Sequence, residues 1–179
     1  MKKIILVSLS LITTVYSLWY ASLGEFAGNS GALSKIGLEH PVLFIAWGML
    51  TYTTLSFGII LGLKKAKDRL FIILLIIALI GMILTLCFDF DYDKHTQYIF
   101  HCIGSLTFSA VMGITVFLLF LINKSYYLTA ASGIILITDL VLLIIFKETA
   151  IIELAPIFSG YIMLCIHSFR KENKYIEIK

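Results

Sequence analysis

Ionisable side chains are scarce in this sequence, so where they fall carries unusual weight. His101 and Ser105 stand four residues apart, a spacing that stacks two side chains on one helix face. Such a pair is the raw material for activating a hydroxyl nucleophile, although serine in an apolar helix more often bonds back to its own backbone. Gly104, Phe108 and Met112 fall on the same stripe as His101, with Ser109 beside it. Ser132 and Asp139, seven apart, share a face of a later segment, and Glu153 opens the one after that. These positions describe one outward-opening polar pocket lined by His101, Ser105, Asp139 and Glu153. His101, Ser105 and Glu153 are its candidate catalytic groups, and Asp139 and Glu153 are candidates for carrying protons or cations.

Beside this stripe runs Asp89-Phe-Asp-Tyr-Asp-Lys-His95, a loop expected to form the lid or rim of the pocket. Asp91, His95, His101 and Glu153 are the side chains from which a divalent metal site would be drawn. The alternating aspartates look like the start of a calcium loop, but the central Gly and the distal bidentate Glu are missing. His95 and His101 are six apart, which is not an i,i+4 ligand pair, and no zinc-type spacing is present. Cys87 and Cys102 flank the loop, either as free thiols or, in an oxidising compartment, as a bridged pair; Cys165 has no partner. His40 and His101 share a level, so axial haem ligation is a further, distant alternative.

The elements that must position these groups are membrane-spanning helices. Of 179 residues 60% are hydrophobic and 14% charged, with a mean hydropathy of +0.99. Soluble domains carry roughly 25% charged residues. Lipid as solvent accommodates the apolar excess, because side chains then face outward on every helix. At about 20 apolar residues per span, six segments qualify: 4–22, 41–63, 70–88, 98–122, 126–146 and 150–169. The expected fold is therefore all-α, a polytopic six-helix bundle forming one domain over residues 1–170, with a short charged tail at 171–179. Glu148 and Pro156 are expected to break the last two spans apart, and residues 22–40 read as a polar connection. The opening Met1-Lys-Lys3 and apolar run also resemble a signal peptide, but Trp19-Tyr20 at the far end suits an interfacial anchor, so an uncleaved first span is expected.

Charge then orients the chain. With the N-terminus inside, Lys2, Lys3, Lys64, Lys65, Lys67, Arg69, Lys124, Arg170, Lys171, Lys174 and Lys179 are cytoplasmic, and only Lys35, Lys94 and Lys147 lie outside, a split of 11 to 3. Both termini are then cytoplasmic, in a cell (plasma) membrane. Most acids and three of the four histidines, His40, His95 and His101, collect at the outer face. Gly58 and Gly62 form a GxxxG spacing for close helix approach, within the chain or between copies. The basic residues form no nucleic-acid-binding face.

The segment from Gly81 to Phe108, with its Asp-containing loop and His101-Cys-Ile-Gly104-Ser105-Leu-Thr-Phe108, resembles a prokaryotic six-helix membrane family catalogued as domain-of-unknown-function family 998. Ser34-Lys-Ile-Gly37 and Trp47-Gly-Met49 are similar to that family's first loop and second helix. Phe88-Asp-Phe-Asp91 lacks the family's Pro, and Leu154 stands where it often has Arg. The resemblance implies the architecture and points to Asp91, His101 and Glu153, but implies no activity. Three functions follow from the residues: a structural or accessory membrane subunit, an outward-facing metal-assisted hydrolase or transferase acting on a lipid or lipid-linked substrate, and a small proton- or ion-coupled transporter. The first is the leading expectation.

Overall fold

The computed structural model of the chain describes residues 1–25, 32–63, 68–146 and 149–170. The basic loop at 64–67, the Lys147-Glu148 turn, the charged tail at 171–179 and the side chain of Asp68 lie outside the described residues.

Seven helices follow one another: α1 (Lys2–Ala21), α2 (Leu33–Glu39), α3 (Pro41–Gly62), α4 (Asp68–Cys87), α5 (His95–Ile122), α6 (Tyr126–Phe146) and α7 (Ala150–Phe169). All but α2 are long and apolar enough to cross a membrane, and no strand occurs among the described residues. The protein is thus an all-α, multi-pass membrane bundle, and each expected span matches a helix to within three residues at either end. Local signals explain the helix starts. Pro41 sits in the first turn of α3, where its missing N–H is not needed. Thr149 is extended and its hydroxyl accepts from the Ile152 amide, capping α7. Pro156, expected to help break the chain, lies inside α7. The break falls between Phe146 and Ala150, where the expected spans put it, and Pro156 only deprives the Ile152 carbonyl of its intrahelical donor.

α3, α5 and α7 touch one another and form the centre of the bundle. Each remaining span straddles two of them: α1 lies on α3 and α7, α4 on α3 and α5, and α6 on α5 and α7. At one end the Lys3 ammonium sits 5.8 Å from the Phe169 ring, so the ends of α1 and α7 meet. The same end is tied by Asn123 Nδ2 donating to the Gly62 carbonyl at 3.1 Å and by Ser125 Oγ lying 3.3 Å from His167 Nδ1. The opposite end carries α2, the 88–94 loop and Thr149.

Three packing devices hold the spans together. α1 turns a stripe of Leu6, Ser10, Thr13, Ser17 and Tyr20 inward, and its hydroxyls meet partners across the interface. Thr13 and Thr54 lie 2.8 Å apart, and Trp47 Nε1 donates to Ser17 Oγ at 3.1 Å. α4 and α5 approach backbone to backbone. A Cβ on Gly104 would sit 2.6 Å from the Thr85 nitrogen, and one on Gly81 would sit 2.7 Å from the Phe108 nitrogen. Gly58 and Gly62 face Leu164 and Leu119 of the same chain. Their spacing therefore serves close packing within the bundle, one of the two uses expected of it.

Candidate functional site

His101 occupies the second turn of α5 on its buried stripe with Gly104, Phe108 and Met112. Its Nδ1 lies 2.9 Å from the Phe88 carbonyl oxygen, and its ring stacks on Phe44 at 6.1 Å and meets Phe90 edge-on at 5.1 Å. Only 2% of its surface is exposed. One turn on, Ser105 donates its hydroxyl proton to the Cys102 carbonyl at 3.2 Å, the back-bonding habit of a serine in an apolar helix. Glu153, in the first turn of α7, accepts from the Leu33 amide at 2.7 Å. That contact makes physical sense. α2 begins at Leu33 behind Ala32, which has no side chain to cap it, so a carboxylate from α7 satisfies the orphan N–H and favours the helix dipole. Tyr20 Oη donates to the Leu33 carbonyl at 2.9 Å from the other side.

α2 is the element that the polar-connection reading missed. Leu33, Ile36 and Gly37 are buried at helical spacing against Tyr20, Phe44, Trp47 and Leu154, so the segment folds back over the end of the bundle. The i, i+3, i+4 pattern of those three residues was the available signal.

A cavity of about 310 Å³ runs beneath α2, and its wall includes His101, Ser105, Asp139 and Glu153 together. It is bounded mainly by α5, α6 and α7, with Trp47 from α3 and Phe90 from the loop closing its side. Most of the wall is apolar. The cavity exists because α5 and α6 diverge. They are joined at the Asn123-Lys124-Ser125 turn, where Lys124 takes the left-handed conformation, and they touch where Leu136 presses onto Gly113. Beyond that point toward α2 the lining residues Leu106 and Ser109 of α5 are exposed on the bundle's perimeter, and Asp139 of α6 is half-buried. In α6 the buried residues are Thr129 and Ser132, both before the contact. The opening therefore faces sideways, where lipid would lie, between α5 and α6.

The remaining predicted ligands stand apart from this cavity. Asp91 Oδ1 accepts from the Asp93 amide at 3.0 Å, and its other oxygen lies 3.6 Å from Lys94 Nζ. Lys94 also donates to Asp89 at 3.2 Å, and that hydrogen bond holds its pKa above the ordinary lysine value. The aspartate loop is thus a turn closed on its own lysine, with Phe90 as the residue it sends inward. His95 is exposed at the first position of α5. Among the described residues no three His, Cys, Asp or Glu side chains come together to hold a metal ion. No disulfide joins Cys87, Cys102 or Cys165.

Comparison with protein-family models, with characterised proteins and with solved structures finds no match.

Proposed function

We propose that the protein is a non-catalytic, accessory-type membrane protein that admits the apolar part of an amphiphile sideways from one leaflet into its cavity. The observation that carries this reading is the perimeter opening between α5 and α6, leading to a mostly apolar space of about 310 Å³. That volume lies at the lower end of ligand pockets, which run roughly 300–1,000 Å³. An outward-facing aqueous enzyme site is less favoured, because α2 folds over the end of the bundle and Glu153 is occupied in holding it there. The positive-inside distribution places both termini in the cytoplasm and α2 outside. The leaflet sampled is then the outer one of the plasma membrane. The resemblance to family 998 accords with this architecture and adds no activity to it.

The two tryptophans test the reading directly, since Trp47 lines the cavity at 6% exposure while Trp19 is 48% exposed on the perimeter. In a Trp19→Phe variant reconstituted with brominated-chain phospholipid, Trp47 fluorescence should be quenched, and Ser109→Phe, which plugs the opening, should relieve that quenching. Trp19 in a Trp47→Phe variant is the control for ordinary lipid contact. Quenching of Trp19 with none of Trp47 would sink the proposal.

A further inference from the structure

Asp139 is the only Asp, Glu, Lys or Arg among the described residues that lies more than one turn from the end of a spanning helix. Seven residues separate it from Phe146, which puts it about 10 Å inside the bundle at 1.5 Å per residue. A carboxylate at that depth is expensive to keep and is expected to have a partner or a task. No hydrogen bond or ion pair joins Asp139 to another described residue.

Its neighbours on the cavity wall do not answer it. The single proton of the Ser105 hydroxyl goes to the Cys102 carbonyl, and that of Ser132 goes to the Thr129 carbonyl at 2.9 Å. Among the described residues that line the cavity there is no Lys or Arg; His101, held by the Phe88 carbonyl and by Phe44 and Phe90, and the other acid, Glu153, sit at its α2 end. Pro156, also on the wall, leaves the Ile152 carbonyl without its intrahelical donor and so adds an acceptor. The cavity wall is therefore acceptor-rich and carries no lysine or arginine among the described residues. Its aromatic members are Phe44, Trp47, Phe90 and Phe108.

We infer that the occupant is a cationic amphiphile, an amine or quaternary ammonium on an apolar chain. Its charge pairs with Asp139, and its chain runs toward Met112, Val116 and Met163. This rests on the sideways-access reading above and adds the charge of the ligand to it. Neutral and anionic chains bring no positive charge to set against Asp139. A cation supplies it in a low-dielectric setting where a close charge pair has its greatest effect.

The test uses the full chain carrying Trp19→Phe, with brominated lipid quenching Trp47. Dodecyltrimethylammonium, dodecanol and dodecanoate are added as chain-matched competitors, the first being charged at every pH. The ammonium should displace the brominated chain about tenfold more tightly than the alcohol, the size of effect that one modest charge pair produces. Asp139→Asn should bring the ammonium to within about twofold of the alcohol while leaving the alcohol unchanged, and Asp139→Glu should keep the preference. Equal displacement by all three chains in the Trp19→Phe protein would overturn the cation assignment and leave the cavity reading standing. So would an ammonium preference that survives Asp139→Asn. If Trp47 is never quenched, the cavity reading fails and the cation assignment falls with it.

Discussion

α4 and α6 occupy equivalent places, each a peripheral apolar span lying antiparallel to α5 and across a second central helix, yet they pack in opposite ways. α4 buries Phe71, Leu75, Ala78, Met82 and Thr85, a stripe that repeats every three and four residues along its whole length. At its middle the Gly81 and Gly104 backbones meet with no side chain between them. α6 buries Thr129 and Ser132 near the turn, leans on Gly113 through Leu136, and then leaves α5. The difference shows what hydropathy does not decide. In lipid an apolar side chain gains little by facing protein rather than acyl chains, so small residues placed opposite one another determine where helices close. α4 and α5 have glycines at matching heights. α6 offers Leu136 and Asp139 where α4 offers glycine, and a cavity results.

The largest expected effect breaks the tight side. Gly104→Leu places a side chain where the Thr85 nitrogen and the Gly81 carbonyl oxygen already stand, 2.6 and 2.8 Å from the new Cβ. Overpacking usually costs about 1–3 kcal/mol, and more where the obstacle is backbone that cannot swing away. Gly104→Leu should therefore abolish recovery of monodisperse, heat-stable protein in detergent. Gly133→Ala on α6 is the matched control, since its Cβ would meet Phe117 at an ordinary 3.4 Å. It should leave the melting temperature unchanged within error. Equal losses from the two would mean that both α5 interfaces are close-packed and that the cavity does not persist.

Next in size is a gain. Asp139→Leu removes a half-buried carboxylate that no described residue pairs with. Charged groups at the middle of a span cost roughly 2.5–3.5 kcal/mol on insertion scales, and partial solvation at the opening reduces this, so a gain of about 1–2 kcal/mol is expected. Stability is read from reversible unfolding in mixed micelles. A loss would show instead that Asp139 is a structural member of the α6 contact, and the contrast between the two peripheral helices would shrink.

Much of this was legible beforehand, for identifiable reasons. Span length and hydropathy located all six long helices, because a bilayer imposes one thickness on every crossing. The helical period placed His101, Gly104, Phe108 and Met112 on one face, and that is the buried stripe of α5. His101, Ser105, Asp139 and Glu153, read as one outward-opening polar pocket, line one cavity, but its wall is mostly apolar. What escaped were contacts between distant segments. Gly58 and Gly62 form a visible motif within one helix, whereas Gly81 and Gly104 lie on different helices and have no spacing to recognise. Residues 33–39 look polar by composition, and only their docking against Tyr20 and Trp47 makes them a buried helix. Asp91 and His95 drew attention by residue type, but Lys94 stands between them and closes the aspartates into a local turn.

The smallest effect concerns the third peripheral helix, α1, whose interface adds hydroxyl contacts to its buried Leu6 and Tyr20. Thr54 Oγ1 donates to the Leu50 carbonyl of its own helix at 2.8 Å, so its single proton is already placed. In the 2.8 Å contact with Thr13, the Thr13 hydroxyl must then be the donor. Thr13→Val removes that donor at nearly constant volume and leaves Thr54 bonded to Leu50, so no buried donor is orphaned. The cost should be only about 0.6 kcal/mol, the average found for interhelical hydrogen bonds in membranes. In Thr54→Val the partner lost is the acceptor, and the Thr13 proton can turn to a carbonyl of its own helix. The double variant should then cost less than the sum of the singles, by an amount equal to the bond itself. Strict additivity in that cycle would mean that the threonines only fill space. α1 would then be held by shape alone.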